Sequence, residues 1–260
     1  MKLTMLGTGN ALVTKCYNTC FILNDNNEYL LVDGGGGNQI LSQLEQAKIS
    51  CGDLHNIFVT HKHIDHILGI VWVIRIILQN HKNEGEYYVY GHKEVIEILE
   101  NMCRTLIREK ETKLIGTVLK FITIENNEEI DLIGHRFRFF DIHSDKAAQF
   151  GFTIDNEIVC CGDEPYNDTI KDFVKNAKWL MHEAFCLDSE ADLFNPYEKK
   201  HSTVKDACKK AQENNIKNLI LYHTEDKNIK NRKELYTAEG RQYFSGNIYI
   251  PDDLESIDLI

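Results

Sequence analysis

Six short runs of apolar or alternating residues, each suited to a β-strand, end in a polar residue. The runs are EYLLVD, NIFVTH, RFRFFDIH, EIVCCGD, KWLMHE and NLILYH, and they end at Asp33, His61, His143, Asp163, Glu183 and His223. Helical periodicity between and around them predicts helices over roughly 37–48, 65–80, 92–110, 166–176, 203–214 and 231–244. Strands that alternate with helices indicate an α/β architecture. Ligands of such sheets collect beyond the carboxyl ends of strands, so we expect the six polar residues to face one place.

The chain shows no linker, low-complexity segment or repeat, and it contains only three prolines. The best seam lies near residue 135, where NNEEIDLIGH gives way to a second series of strands. We therefore predict a single domain over residues 1–260, made of two fused halves, about 1–135 and 136–260. A chain of 260 residues, of which 43% are hydrophobic, is long enough to bury a large core.

Composition and charge narrow the classes of protein further. The opening MKLTMLGTGNAL turns to glycine after a few apolar residues, which is not typical of a secretory signal, so we expect a cytoplasmic protein. The longest apolar run, from Ile67 to Leu78, is shorter than the roughly 20 residues of a membrane span, and we interpret it as a core or interface helix. The eight cysteines contain no CxxC pair, which favours reduced, mostly buried thiols. The net charge of −11 argues against a general nucleic-acid-binding surface.

The segment THKHIDH, residues 60–66, places four potential metal ligands at the end of the second run. Because side chains alternate along an extended segment, His61 and His63 are expected on the same side. Asp65 and His66 open the following helix and point in a different direction, so one short loop can serve two cations. His143, Asp163 and His223 would complete the two ligand sets, with a carboxylate such as Asp163 able to bridge. Mixed imidazole and carboxylate ligands suit Zn²⁺ and also admit Mn²⁺ or Fe²⁺.

THKHIDH, followed by DIHS, CGDE and LYHTED, resembles the HxHxDH signature of the metallo-β-lactamase superfamily of hydrolases. The resemblance spans nearly the whole chain, from LGTGNA and LLVDGGGG to YIPDDLESIDL. It implies an αββα sandwich with two metal ions in a groove between the edges of two sheets. It also implies the ligand sets: His61, His63 and His143 for one ion, Asp65, His66 and His223 for the other, and Asp163 between them. Asp33 would lie behind the ligands and fix their orientation.

Two further segments, HEAF at 182–185 and KKHSTVKDA at 199–207, resemble the ribonuclease Z subgroup of that superfamily. The resemblance implies that a hydroxide bridging two metals attacks a phosphodiester, that His201 donates to a phosphate oxygen or the leaving group, and that Glu183 orients His201. Asp65 is expected to hold the hydroxide or receive its proton. The alternative is that His201 merely precedes a helix capped by Ser202 or Thr203, and that Glu183 is an ordinary loop acid.

The chain departs from ribonuclease Z in one region that bears on the substrate. Enzymes that mature transfer RNA usually carry a long arm between the equivalents of His143 and Asp163, and only 20 positions separate these residues here. With the acidic charge, this favours a small phosphodiester such as a cyclic nucleotide. The alternatives are an armless transfer-RNA 3′-endonuclease, a hydrolase of another ester and, in another class, a metal-binding module without catalytic activity.

The remaining predictions concern assembly and the other histidines. The helix around 67–80 resembles, in position, the segment through which ribonuclease Z relatives form homodimers, and burial within the monomer is the alternative. Five further histidines have no place in the metal pattern, so surface or helix-cap positions are expected for them: His55, His81, His92, His135 and His182.

Overall fold

The computed structural model describes residues 1–259, and in it the strands form two seven-stranded β-sheets. The order of the first sheet is β14-β1-β2-β3-β4-β5-β6. Its strands are β1 (Lys2–Gly7), β2 (Cys20–Asp25), β3 (Glu28–Val32), β4 (Asn56–Phe58), β5 (Tyr87–Gly91), β6 (Leu119–Thr123) and β14 (Ser256–Asp258). β14 returns from the end of the chain and pairs antiparallel with β1, with Leu3 opposite Ile257.

The order of the second sheet is β13-β12-β11-β10-β9-β8-β7. Its strands are β7 (Glu129–Leu132), β8 (His135–Asp141), β9 (Phe150–Ile154), β10 (Ile158–Cys160), β11 (Trp179–Glu183), β12 (Asn218–Tyr222) and β13 (Asn247–Tyr249). The chain passes from one sheet to the other between Thr123 and Glu129, a few residues before the predicted seam.

The direction of the strands explains why their polar ends meet. β3, β4, β5 and β6 are parallel to one another, and so are β10, β11, β12 and β13. β8 runs in the same direction as β10, because both are antiparallel to β9. Some strands of each sheet were expected to end in functional residues. In each sheet, the carboxyl ends of these strands therefore lie at one edge.

Each helix-like range of the sequence contains helical structure. The long helices are α1 (Gln39–Ala47), α2 (Ile64–Ile76), α3 (Lys93–Leu106), α7 (Val204–Glu213) and α8 (Arg232–Gly240), and the short ones are α4 (Glu109–Thr112), α5 (Lys171–Val174) and α6 (Ala191–Phe194). A turn of π-helix, Ile77–His81, extends α2. The predicted helix at 166–176 is reduced to α5 and a 3₁₀ turn at Asp168–Ile170.

Three apolar clusters separate four layers of structure. Residues of α1, α2 and α3 pack against one face of the first sheet, and residues of α5, α7 and α8 pack against one face of the second. The middle cluster joins the two sheets, and in it Phe58 contacts Phe139 with ring centroids 4.9 Å apart. Alternation along β3 sends Leu31 to the helix layer and Leu30 and Val32 to the middle layer. The predicted αββα sandwich is the observed architecture.

The apolar run at 67–78 lies in α2 and the π-helical turn that follows it, and α2 packs in the first cluster through Ile67, Ile70, Val73 and Ile74. Within residues 1–259, no helix is long and apolar enough to cross a membrane. All eight cysteines are free thiols, and seven of them are buried, as expected.

Candidate metal centre

Several of the polar strand ends meet in one buried cluster. Asp33, His61, Asp163 and His223 follow β3, β4, β10 and β12, and all four are buried. The backbone of Asp33 and of His223 adopts positive φ angles of 57° and 56°, which turn the chain sharply as each strand ends. Such a conformation is uncommon for residues other than glycine, and aspartate and histidine are among those that tolerate it best.

Asp65, His66 and His223 each bring one donor atom close enough to the others to hold one ion, and Asp163 adjoins them. Oδ2 of Asp65 lies 3.4 Å from Nε2 of His66 and 3.6 Å from Nε2 of His223. Oδ2 of Asp163 lies 3.8 Å from Nε2 of His66 and 3.7 Å from Nε2 of His223. Donor atoms about 2.0 Å from a tetrahedral cation are about 3.3 Å from one another. The separations are long for hydrogen bonds and close to those of ligands around one ion.

A second set of donors adjoins the first. Nε2 of His61 and Nδ1 of His63 lie at hydrogen-bond distance, 2.8 Å, and Nε2 of His61 is 3.7 Å from Oδ1 of Asp163. Asp163 thus offers Oδ2 to the first set and Oδ1 to the second, which is the arrangement that a bridging carboxylate requires.

His143 does not lie with the other ligands that the resemblance implied. Its backbone φ is 59°, its amide N–H donates to Oδ1 of Asp141 at 2.7 Å, and its ring nitrogen Nδ1 lies 3.4 Å from Oδ2 of the same carboxylate. These contacts turn the ring outward, and 55% of the side chain is exposed. The structure places His143 at the rim of the site, so its role as a ligand stays a prediction.

A layer of hydrogen bonds behind the donors fixes their orientation. Asp33 accepts hydrogen bonds from Thr60 N, Thr60 Oγ and His66 Nδ1, each at 2.8 Å. Because the single hydroxyl proton of Thr60 goes to Asp33, Thr60 Oγ accepts from Nδ1 of His61 at 2.9 Å. Nδ1 is thereby the protonated nitrogen of both rings, and Nε2 faces the cluster. Asp33 lies behind the donor atoms, and its role in orienting metal ligands stays a prediction.

Electrostatics and unpaired atoms also suit a cation here. Burial raises the pKa of the Asp163 carboxyl, but His61, His223 and His66 together lower it well below its usual value. Burial lowers the pKa of His66, but Asp65 and Asp33 raise it well above the usual value. Nε2 of His66 and both ring nitrogens of His223 are buried without a hydrogen-bond partner among residues 1–259. Buried polar atoms without partners are costly, so a divalent cation fits this donor set.

His201 and Glu183 lie beside the donors. The ring of His201 is 5.1 Å from that of His223 and stacks on Phe185 at a centroid distance of 5.1 Å. Its Nδ1 is 3.4 Å from Oε2 of Glu183, whose Oε1 accepts from Ser202 N at 2.6 Å. Part of the alternative interpretation also holds, because Thr203 caps α7 with Asp206 in a capping box, but Glu183 is a fully buried residue of β11 and not a loop acid. His201 therefore precedes a capped helix and also lies beside the candidate metal donors.

Sequence reasoning missed several residues of the site. Gln149 donates to Oδ1 of Asp163 at 2.7 Å, and the loop that carries it also brings Lys146 to the cluster. Both residues lie within six positions of His143, and this closeness in sequence to a predicted ligand could have identified them. His182 is wrongly expected at the surface or a helix cap: it is buried, and its Nε2 accepts from Tyr166 N at 2.8 Å.

Two connected depressions open onto the cluster. A cavity of about 240 Å³ lies directly over the donors, and its walls include His63, Asp65, Lys146, Asp163, His201 and His223. A larger groove of about 650 Å³ shares His201 with this cavity and is lined by His143, Tyr166, Tyr197 and their neighbours. Solvent and a ligand can therefore reach the donors.

Known proteins resemble the chain over its whole length. The sequence model of the family described as "Anti-Pycsar protein Apyc1" matches residues 1–244. A ribonuclease Z of Thermococcus sibiricus is 26% identical over 307 residues, which covers 100% of this chain and 96% of the archaeal protein. The metallo-β-lactamase fold protein YhfI of Bacillus subtilis has a TM-score of 0.79 at 21% identity, with 99% of both chains covered. The short form of human tRNase Z has a TM-score of 0.76 at 20% identity, with 100% of both chains covered.

These similarities confirm the predicted resemblance to ribonuclease Z and the predicted metallo-β-lactamase fold. Together with the donor sets, they support a metal-dependent hydrolase of phosphodiesters.

Proposed function

The chain belongs to the Anti-Pycsar protein Apyc1 family, and we propose that it hydrolyses a small phosphodiester, such as a cyclic nucleotide, with two divalent cations. The observation that carries the proposal is the position of Asp163. Its two oxygens face separate donor sets, Oδ2 with His66 and His223 and Oδ1 with His61. A buried carboxylate shared in this way suits a pair of ions that act on one phosphate group.

We assign Zn²⁺ to both positions, with Mn²⁺ or Fe²⁺ as alternatives. Asp65, His66, His223 and Asp163 would hold one ion, and His61, His63 and Asp163 would hold the other, with His143 completing the second set. When bound, such ions lower the pKa of a water and offset the negative charge that builds up on the phosphate.

Three residues of the chain complete the proposed mechanism. Asp65 faces the cavity beside His66 and His223, where it can accept the proton of the attacking water. His201 borders the same cavity and can donate a proton to the leaving oxygen. Glu183 is fully buried and its Oε2 lies 3.4 Å from Nδ1 of His201, so it can orient the ring.

The size of the site supports a small substrate. The chain between His143 and Asp163 contains a short loop, β9, a turn and β10, and it forms no projecting arm. The cavity and groove over the donors have volumes of about 240 and 650 Å³, which suit a small molecule.

Transfer RNA is the second candidate substrate, because the relative from Thermococcus sibiricus is named ribonuclease Z. A net charge of −11 weakens this candidate, since RNA binding depends on phosphate contacts with basic side chains.

We further propose that the protein is cytoplasmic and forms a homodimer through the helix around 67–80. Eight free thiols suit a reducing compartment. The outer face of α2 supports the dimer: Leu68, Val71 and Trp72 line an apolar groove of about 340 Å³ together with Met102 and Leu106 of α3.

The test is a substrate panel for the Zn²⁺-loaded protein. We expect turnover of bis(p-nitrophenyl) phosphate and of at least one cyclic nucleotide, and no processing of precursor transfer RNA. The Asp163→Asn variant is the control for contaminating activity. Efficient cleavage of the RNA with no small diester hydrolysed would favour the second candidate, and no turnover of any substrate would contradict both.

A further inference from the structure

Lys146 lies in the loop between β8 and β9 and reaches the cavity over the metal donors. Only 15% of its side chain is exposed, which is unusual for a lysine. Its Nζ is 4.0 Å from Oδ2 of Asp163, the oxygen that faces His66 and His223. A largely enclosed cation this close to the metal donors calls for an explanation.

Two residues hold this ammonium group in place, and a third supports the arrangement. Nζ donates to the backbone oxygen of Asp163 at 3.3 Å and lies 3.2 Å from Oε2 of Glu164. Ser144 strengthens the arrangement, because its hydroxyl donates to the same oxygen of Glu164 at 2.9 Å and accepts from Lys146 N at 3.1 Å. The position of Lys146 is therefore built by the loop and by the residue that follows Asp163.

The geometry leaves one donor of Lys146 unused. An ammonium group carries three N–H donors and no acceptor. The oxygen of Asp163 and the carboxylate of Glu164 take two of them. The third is available on the side of the cavity, which Lys146 lines together with His63, Asp65 and His201.

Another lysine of the same cavity does not share this arrangement. Lys199 is exposed, and its ammonium lies 4.9 Å above the ring of Phe185. Lys146 differs from it in having two oxygen partners, the backbone oxygen of Asp163 and the carboxylate of Glu164.

We propose that Lys146 donates its third N–H to a non-bridging oxygen of the substrate phosphate, and that Glu164 positions Lys146 for this contact. The inference rests on the proposed function, because it takes a phosphodiester as the ligand of the cavity. Lys146 adds a fixed positive charge on the protein side of the phosphate, where negative charge increases as the attacking oxygen bonds to phosphorus.

The experiment compares Lys146→Met with wild type and with Lys178→Met, a lysine that precedes β11, is 42% exposed and pairs with Glu157. We expect Lys146→Met to keep its Zn²⁺ content and to lower kcat/KM for bis(p-nitrophenyl) phosphate by about 10²-fold, as the loss of an oxyanion donor does. Binding of inorganic phosphate, followed by calorimetry, should weaken about tenfold or more, the effect of one charged hydrogen bond. Lys178→Met should match wild type.

Two more variants distinguish the direct contact of Lys146 with phosphate from the positioning of Lys146 by Glu164. Lys146→Arg keeps the charge and should recover part of the phosphate affinity. Glu164→Gln removes the carboxylate charge that holds Lys146, so it should weaken phosphate binding less than Lys146→Met does, at unchanged metal content.

Each contrary outcome identifies what has failed. Unchanged phosphate affinity in Lys146→Met would overturn the inference, and so would a loss of Zn²⁺ from that variant, since Lys146 would then serve the metal site. A wild-type protein that turns over no phosphodiester would contradict the proposed function, while the phosphate calorimetry would still test Lys146 as an anion ligand.

Discussion

Asp33 accepts a hydrogen bond from Nδ1 of His66 at 2.8 Å, although the two residues are 33 positions apart in the chain. Asp33 ends β3, and His66 lies in the first turn of α2. The bond fixes the tautomer of the ring and directs Nε2 toward Asp65 and Asp163. The orientation of a metal donor thus depends on a carboxylate that lies behind the donor atoms.

Replacing Asp33 with Asn should weaken metal binding. The amide cannot accept from Thr60 N, Thr60 Oγ and His66 Nδ1 as the carboxylate does, so the histidine loses its fixed orientation. We expect Zn²⁺ affinity to fall by about 10- to 100-fold, measured by competition with a chromophoric chelator. Asp131→Asn, at an exposed position of β7, is the control. Wild-type affinity in Asp33→Asn would show that Asp33 does not orient the ligand.

Replacing Asp65 with Ala should affect both metal content and turnover. The variant loses a donor atom of the set formed with His66 and His223, together with the proposed acceptor of the water's proton. We expect fewer than two Zn²⁺ per chain by elemental analysis and a large loss of turnover. Two ions and full turnover would contradict both roles.

Replacing His201 with Ala should separate catalysis from metal binding. The variant leaves the bridging carboxylate and its partners in place, so Zn²⁺ content should stay unchanged. Turnover of bis(p-nitrophenyl) phosphate should fall by roughly 10²-fold or more, the effect of losing a general acid. An unchanged rate would mean that His201 has no catalytic role and merely precedes the capped helix.

A pH-dependent contribution to stability is expected far from the metal centre. His135 joins two carboxylates, with Nε2 at 2.7 Å from Asp25 and Nδ1 at 2.6 Å from Asp155. Burial lowers the pKa of His135, but its hydrogen bonds to Asp25 and Asp155 raise it above its usual value. Because the folded-state pKa is raised, the stabilisation is fully present below the unfolded pKa of about 6.5 and is lost as pH rises through the folded-state value.

The measurement compares the free energy of unfolding of wild type and His135→Asn by urea titration. The destabilisation should be greater at pH 6 than at pH 8.5. An equal difference at both values would mean that the charge of His135 does not stabilise the fold.

The dimer can be tested at the exposed face of α2. Trp72 is 38% exposed there, and Leu106 of α3 is 63% exposed. Trp72→Asp should shift a dimeric protein to the monomer in analytical ultracentrifugation, because a charge would be buried in an apolar interface. Leu235→Asp, on α8 at the same 38% exposure, should leave the mass unchanged. A monomeric wild-type protein would exclude this assembly.

The sequence predicts the strand ends because two local rules determine them. Alternating or apolar runs mark strands, and parallel strands present their carboxyl ends at one edge, which brings Asp33, Asp163 and His223 together. The helices follow from periodicity in the same way. The return of β14 to β1 depends on contacts across more than 250 positions, which no local pattern contains.

Loop conformation explains what the sequence does not predict at the site. The outward position of His143 depends on a positive φ angle and on Asp141, and neither is visible in a ligand motif. Lys146 and Glu164 meet only because the loop after β8 folds against the turn after β10. A charged residue close in sequence to a predicted ligand is a candidate site residue, but the tertiary structure determines where its side chain points.

The proposed function depends most on the position of Asp163 between two cations. Anomalous diffraction at the zinc edge, from crystals of the Zn²⁺-loaded protein, tests it directly. We predict two anomalous peaks per chain, each in contact with one oxygen of Asp163. One peak should lie beside Asp65, His66 and His223, and the other beside His61 and His63. No peak at these residues, or a single ion that does not touch Asp163, would contradict this prediction.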